Sequence, residues 1–177
     1  MNSRSELDAA IRRVPDFPKP GILFYDITSI LAKPDAFRYC IDQMHELFDH
    51  SRFDAVAAIE ARGFVFGAPF AAESALPLIL LRKSGKLPGK TIKKTFSLEY
   101  GEDTIELHSE DLRRGWHVLL VDDLIATGGT TRASIELLNE AGAESCEVFS
   151  VVGLPFLGYE ETVAPAKVHT LVDFQAE

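Results

Sequence analysis

Two adjacent carboxylates stand where an apolar run meets a turn rich in threonine and glycine. The stretch is Val118-Leu119-Leu120-Val121-Asp122-Asp123-Leu124-Ile125-Ala126-Thr127-Gly128-Gly129-Thr130-Thr131. Its four leading aliphatic residues suit a strand buried on both faces. The glycines let backbone N–H groups turn inward, and a following helix would add partial positive charge at its N-terminus. Thr127, Thr130 and Thr131 add hydroxyl donors, so Ala126 to Thr130 can cradle a phosphate monoester. Carboxylates repel phosphate, so Asp122 and Asp123 need another partner. When ionised they only accept hydrogen bonds, and sugar hydroxyls are natural donors. A phosphate beside two hydroxyls describes ribose 5-phosphate. The plainer alternative is a solvated acidic pair before an ordinary turn, but strand, acid pair and Thr-Gly-Gly-Thr together are far more specific than a glycine pair. The chain contains neither G-x-x-x-x-G-K-[ST] nor G-x-G-x-x-G, so Walker and dinucleotide loops find no support.

A second anion site is suggested by Glu60-Ala61-Arg62-Gly63, which follows a short apolar strand, Ala55 to Ile59, and precedes an apolar helix from Phe64 to about Ser74. Arg62 is read as an anion ligand because a guanidinium matches phosphate oxygens with two donors at once. Arg82, Lys83, Lys86, Lys90, Lys93 and Lys94 fall within thirteen residues that contain no acid. That density reads as a local anion site rather than a solvated face. Two glycines and a proline between Arg82 and Lys90 suit a mobile lid. Ile22 to Thr28 reads either as a core strand or as an apolar slot for a flat ring. Glu99 and Tyr100 fall near the tip of a hairpin expected from Thr95 to Tyr100 and Asp103 to Leu107, directly after the basic segment.

The remaining elements form a scaffold for these groups. Ser5 to Val14 reads as an amphipathic helix with Ser5 and Asp8 as its capping pair and Pro15 as its stop. Pro15, Pro18, Pro20 and Gly21 force an extended connection. Pro34 opens a helix with Phe37, Cys40, Ile41, Met44, Leu47 and Phe48 along one side. Pro77 to Leu81, Val148 to Val152 and His169 to Val172 read as further strands, and Gly158 to Thr162 as a short helix. The helix after the acid pair has Ile135, Leu138 and Ala141 as its apolar face and stops at Gly142. Strands alternating with helices imply an α/β fold, a mainly parallel central sheet flanked by helices, with ligands beyond the carboxyl ends of its strands.

The 177 residues are read as one domain, 46% hydrophobic and 25% charged. A net charge of −9 argues against nucleic-acid binding. No apolar run reaches membrane-spanning length, and Met1 to Arg13 lacks an apolar signal core. A cytoplasmic protein is expected, with Cys40 and Cys146 as reduced thiols.

The acid-pair stretch resembles the phosphoribosyl pyrophosphate loop of type I phosphoribosyltransferases. Nearly the whole chain is similar to the adenine phosphoribosyltransferases, through DFPKPGILFYDIT, EARGFVFG, RKSGKLPGKT, SLEYG and VDDLIATGGTT. The resemblance implies a type I phosphoribosyltransferase fold with a hood at about residues 1–34 and a β-hairpin lid at about 82–107. It implies purine salvage: transfer of the phosphoribosyl group of 5-phosphoribosyl 1-pyrophosphate to N9 of adenine, giving AMP and pyrophosphate. Mg²⁺ would be held chiefly by phosphoribosyl pyrophosphate, without nominated protein ligands, and the protein would be a homodimer. By residue, Ala126, Thr127, Gly128, Gly129 and Thr130 would hold the 5′-phosphate. Asp122 and Asp123 would hold the ribose hydroxyls and stabilise the cationic anomeric carbon. Ala61 and Arg62 would form the pyrophosphate loop, with a cis peptide between Glu60 and Ala61. Lys83 and Lys86 would close over the pyrophosphate beside Arg82. Phe24 would stack on adenine while the Leu23 and Tyr25 backbones read its edge. Glu99 would assist proton movement at N7, with Tyr100 as a further substrate contact. Tyr25 is a departure, because relatives often carry Arg there. Two other readings remain: transfer to a different purine base, and a regulator that senses phosphoribosyl pyrophosphate.

Overall fold

Alternate residues of the central strands feed two separate cores, and the layered architecture follows from that. The computed structural model describes residues 3–98 and 101–175. Strand β3 (Ala55–Ile59) is buried along its whole length. Its Val56 and Ala58 join one apolar cluster, while Ala55, Ala57 and Ile59 join the other. Strand β7 (His117–Ile125) behaves the same way: Leu119 and Val121 face one side, Val118 and Leu120 the other. This is the period-two burial expected of a strand covered on both faces.

The seven-stranded sheet has the order β5-β6-β4-β3-β7-β8-β9. Strands β4 (Leu78–Lys83), β3, β7, β8 (Ser145–Gly153) and β9 (Val168–Asp173) run parallel. Strands β5 (Thr91–Leu98) and β6 (Gly101–His108) form an antiparallel hairpin, which joins β4 through Arg82↔Glu106 and Lys83↔Ile105. One face of the sheet packs on helices α1 (Arg4–Ala10), α2 (Thr28–Leu31), α3 (Pro34–Leu47) and α4 (Gly63–Glu73). The other packs on α5 (Gly129–Ala141), with α6 (Tyr159–Val163) beside it. Helix α4 lies very close to the sheet. A Cβ at Gly67 would come within 2.9 Å of the Ala58 Cβ, and one at Gly63 within 2.6 Å of the Val121 carbonyl oxygen. Among the described residues no helix is long and apolar enough to cross a membrane. Cys40 and Cys146 are both free thiols.

Several boundaries differ from the sequence expectation. The first helix ends at Ala10 rather than Val14, and its cap is Ser3, whose hydroxyl accepts from the Glu6 N–H, not Ser5. Residues Arg12–Pro15 form β1, antiparallel to β2 (Leu23–Asp26). The prolines between them, with a cis Phe17–Pro18 bond, therefore close a hairpin instead of forming an extended connection. The acids Asp122 and Asp123 are strand residues of β7, not the start of a loop. On α5 the fully buried positions are Thr131, Ala133, Ser134, Leu137 and Leu138, while Ile135 is half-buried. Ser134 can face the core because its hydroxyl donates to the Thr130 carbonyl at 2.8 Å. Gly142 ends the helix as expected, with φ +112°.

Candidate active site

A cavity of about 260 Å³ opens at the carboxyl ends of β3, β4 and β7. Asp122 and Asp123, Ala126 to Thr130, and Glu60, Ala61 and Arg62 all line it. Gly128 makes the turn into α5 possible. It adopts φ +82°, and a Cβ there would come within 3.1–3.2 Å of Val163, Thr162 and Tyr159. The chain then enters α5, whose first residues, Gly129 to Thr131, line the cavity at the end where backbone N–H groups lack intrahelical partners.

The acid pair is partly withdrawn from water. Asp123 is 3% exposed, and the Arg62 Nε donates to its carboxylate. Its own N–H donates to Asp122 Oδ1 at 2.9 Å. Burial, together with the neighbouring Asp123 charge, pushes the Asp122 carboxyl well above the ordinary aspartate range. The pair can accept from hydroxyls and, once ionised, can stabilise an adjacent cation. The Glu60–Ala61 peptide is cis, where the resemblance implied it.

The basic segment behaves differently from its charge pattern. Arg82 does not line the cavity. Its guanidinium clasps Glu60, with Nε to Oε2 at 3.2 Å and Nη2 to Oε1 at 3.1 Å, and its Nη1 donates to the Lys86 carbonyl at 3.1 Å. Lys86 is also outside the lining. Its backbone N–H and that of Leu87 donate to Glu106 Oε1 at 2.9 and 3.0 Å. Lys93 pairs with Glu106, and Lys94 with Glu136 and Glu140. Much of the positive charge is therefore neutralised by acids distant in sequence. Of Arg82, Lys83 and Lys86, only Lys83 lines the cavity, where its Nζ lies 2.9 Å from Asp103 Oδ2. Sequence reasoning missed Asp103, because only the pairing of β6 with β4 brings it there.

A second cavity, about 360 Å³ and mostly apolar, lies between β1, β2 and the Arg62 loop. Phe17 and Phe24, both in its lining, meet edge to face with their ring centroids 5.0 Å apart. Arg62 borders both cavities. Leu23 is not in the lining and packs half-buried against the core. Tyr25 is 5% exposed, and its ring stacks on Phe174 at 3.9 Å and 5°. Phe174, which sequence reasoning did not single out, is in turn covered by the Arg13 guanidinium at 5.1 Å. Asp26, at the end of β2, is held below the ordinary aspartate range by the Thr28 hydroxyl. Glu99 and Tyr100 lie outside the described residues.

Known proteins match this arrangement closely. The phosphoribosyl transferase domain family matches residues 26–166. An adenine phosphoribosyltransferase of Treponema denticola is 55% identical over 97% of this chain and 90% of its own. This chain belongs to the adenine phosphoribosyltransferases. The crystal structure of the adenine phosphoribosyltransferase of Thermoanaerobacter pseudethanolicus superposes with a TM-score of 0.92 at 39% identity, over 97% of this chain and 100% of that one. The adenine phosphoribosyltransferase of Saccharomyces cerevisiae, at 37% identity and a TM-score of 0.88 over 96% of this chain and 98% of that one, was crystallised with adenine and an imino-altritol 1,6-bisphosphate. The seven-stranded, mostly parallel sheet is thus the type I phosphoribosyltransferase fold.

Proposed function

We propose that this chain transfers the phosphoribosyl group of 5-phosphoribosyl 1-pyrophosphate to N9 of adenine, releasing AMP and pyrophosphate in purine salvage. The observation that carries this is the pair of adjoining cavities, one anion-ready with two carboxylates and one apolar and aromatic, bordered in common by Arg62. Ribose phosphate and pyrophosphate suit the first, and a flat base the second. The yeast relative's two ligands, adenine and a bisphosphate, correspond to that division.

In this reading the backbone N–H groups and hydroxyls of Ala126 to Thr130 bind the 5′-phosphate. Asp122 and Asp123 accept from the ribose hydroxyls. As the C1–pyrophosphate bond breaks and N9 approaches, positive charge builds on the ribose ring, and the same carboxylates stabilise it. Ala61, Arg62 and Lys83 receive the departing pyrophosphate. Arg62 must then leave Asp123, which frees that carboxylate for the sugar as the anion arrives. Arg82 and Lys86, which lie outside the cavity in this structure, join Lys83 over the pyrophosphate when the lid closes. Phe24 stacks on the base beside Phe17, the Leu23 and Tyr25 backbones read its edge, and Glu99 and Tyr100 are the candidates for N7 proton movement and a further base contact.

Mg²⁺ belongs to this reading. Among the described residues no group of three or more His, Cys, Asp or Glu side chains is placed to hold a metal. Two carboxylates beside a phosphate cradle fit an ion whose ligands would be mainly substrate oxygens and water. When bound, the ion neutralises charge on the leaving pyrophosphate. We further read residues 1–177 as one domain with a hood at about 1–34 and a lid at about 82–107, acting as a cytoplasmic homodimer.

The test is nucleotide formation from phosphoribosyl pyrophosphate and Mg²⁺ with adenine, hypoxanthine, guanine, xanthine or orotate supplied singly. AMP from adenine alone is expected. Turnover of another base instead would overturn the base assignment, and binding without turnover would favour the sensing regulator.

A further inference from the structure

Lys83 meets a competitor at the cavity that the reaction does not require. Both Lys83 and Asp103 line it, and their side chains are joined at 2.9 Å. The lysine backbone cannot follow its side chain, because the Lys83 N–H is held by Glu60 Oε2 at 2.9 Å. Asp103 is equally fixed: its Oδ1 accepts from the Thr104 N–H at 2.9 Å, and Thr104 pairs with Thr95 in the hairpin. Only the lysine side chain, 61% exposed, is free to exchange partners. The hydrogen bond from Lys83 also keeps the Asp103 carboxyl below the ordinary aspartate range, so the aspartate is ionised at neutral pH.

We propose that Asp103 sets the affinity of this cavity for pyrophosphate by occupying Lys83 until the anion displaces it. The proposal rests on the phosphoribosyl-transfer reading above. An exposed ion pair in water is weak, so an anion carrying several charges outcompetes a single carboxylate. A singly charged anion gains much less from the exchange, so the pair also discriminates by charge. Once Lys83 has moved to the pyrophosphate, Asp103 is left facing a multiply charged group at the cavity rim. Its competition for Lys83 favours release of the product, and the lysine returns to it as the pyrophosphate leaves. The aspartate touches no reacting atom. It acts through Lys83 and is a positioning residue.

The experiment is calorimetric titration of pyrophosphate, in magnesium buffer without base or nucleotide, into wild type, Asp103→Asn, Lys83→Ala and the double variant. Asp103→Asn should bind pyrophosphate roughly three- to tenfold tighter. In the Lys83→Ala background that gain should largely vanish, which a simple loss of negative charge would not produce. Product inhibition by pyrophosphate should strengthen in parallel in Asp103→Asn. Thermal melts accompany the titrations, and Asp103→Ser replaces Asp103→Asn if the latter melts early. Unchanged or weaker binding by Asp103→Asn, with wild type binding normally, would overturn this inference alone. A full gain persisting without Lys83 would do the same. No binding of pyrophosphate by wild type would overturn both the inference and the reading beneath it.

Discussion

At the scale of single residues, the acid pair and its threonine–glycine turn were legible because their chemistry is local. Nine consecutive positions, Asp122 to Thr130, carry both the cradle and the carboxylates, and the structure needs no distant partner to make them converge. Arg82 and Lys86 read as anion ligands from charge density, and in this structure neither lines the cavity. Glu60 and Glu106, which engage Arg82's side chain and the Lys86 backbone, are 22 and 20 residues away and arrive by strand pairing. No local pattern announces such partners. Asp123→Asn keeps the side chain's shape while removing the charge that holds Arg62 and would oppose the ribose cation. We expect kcat/KM to fall by about 10²–10³, the usual consequence of losing one preorganised electrostatic group. Steady-state kinetics with a thermal melt checks this, and near-normal turnover by a folded variant would contradict the role. The raised Asp122 carboxyl has its own consequence. It loses its charge as pH falls through a value above 3.8, so the acid limb of kcat/KM should lie above that of an ordinary aspartate.

Whole elements were legible where burial is two-sided or a breaker is unambiguous. Strand β3 and the start of α3 at Pro34 fall where expected. The end of α1 does not, because Val14 continues the helical spacing of Leu7, Ala10 and Ile11 by coincidence while belonging to β1. The β5–β6 hairpin reads as strands from the sequence, but what fastens it does not. Glu106 of β6 is 1% exposed and serves two backbone N–H groups, the Thr91 hydroxyl and Lys93. Burial pushes its carboxyl up, but the Leu87 and Lys86 N–H groups and Lys93 outweigh that and bring it down to about 2. The folded value lies below the ordinary 4.5. This anchor therefore stabilises the fold above about pH 4.5 and loses that contribution as pH falls toward 2. Glu106→Gln turns an amide N–H₂ toward Lys93 or toward the loop N–H groups. It should cost about 1–3 kcal/mol at pH 7 and flatten the acid side of the stability profile. Denaturant titrations at pH 7 and pH 3 measure both effects. An unchanged slope between them would show that the anchor is not the source.

The scale of the whole molecule is where the sequence was least informative, although it did announce the α/β class through alternating elements. Neither the strand order nor the meeting of the chain's two ends can be read from periodicity, since both depend on long-range pairing. The β1–β2 hairpin carries the apolar slot, yet it belongs to a separate two-stranded sheet. The stack of Arg13, Phe174 and Tyr25 helps hold it to the body, with Phe174 itself fixed by its N–H to the Gly153 carbonyl at 3.0 Å. The Tyr25 ring is spent on Phe174, which supports the proposed backbone reading of the base. Phe174→Ala would leave the phosphate cradle intact but loosen the strand that presents Phe24. A stacked aromatic pair contributes about 0.5–1.5 kcal/mol beyond its buried area. The KM for adenine should therefore rise roughly two- to tenfold, with the KM for phosphoribosyl pyrophosphate nearly unchanged. Varying each substrate at saturating levels of the other separates the two. Equal increases would mean that Phe174 supports the sheet as a whole, whereas an effect confined to adenine would mark the C-terminal end of the chain as part of the base-binding apparatus.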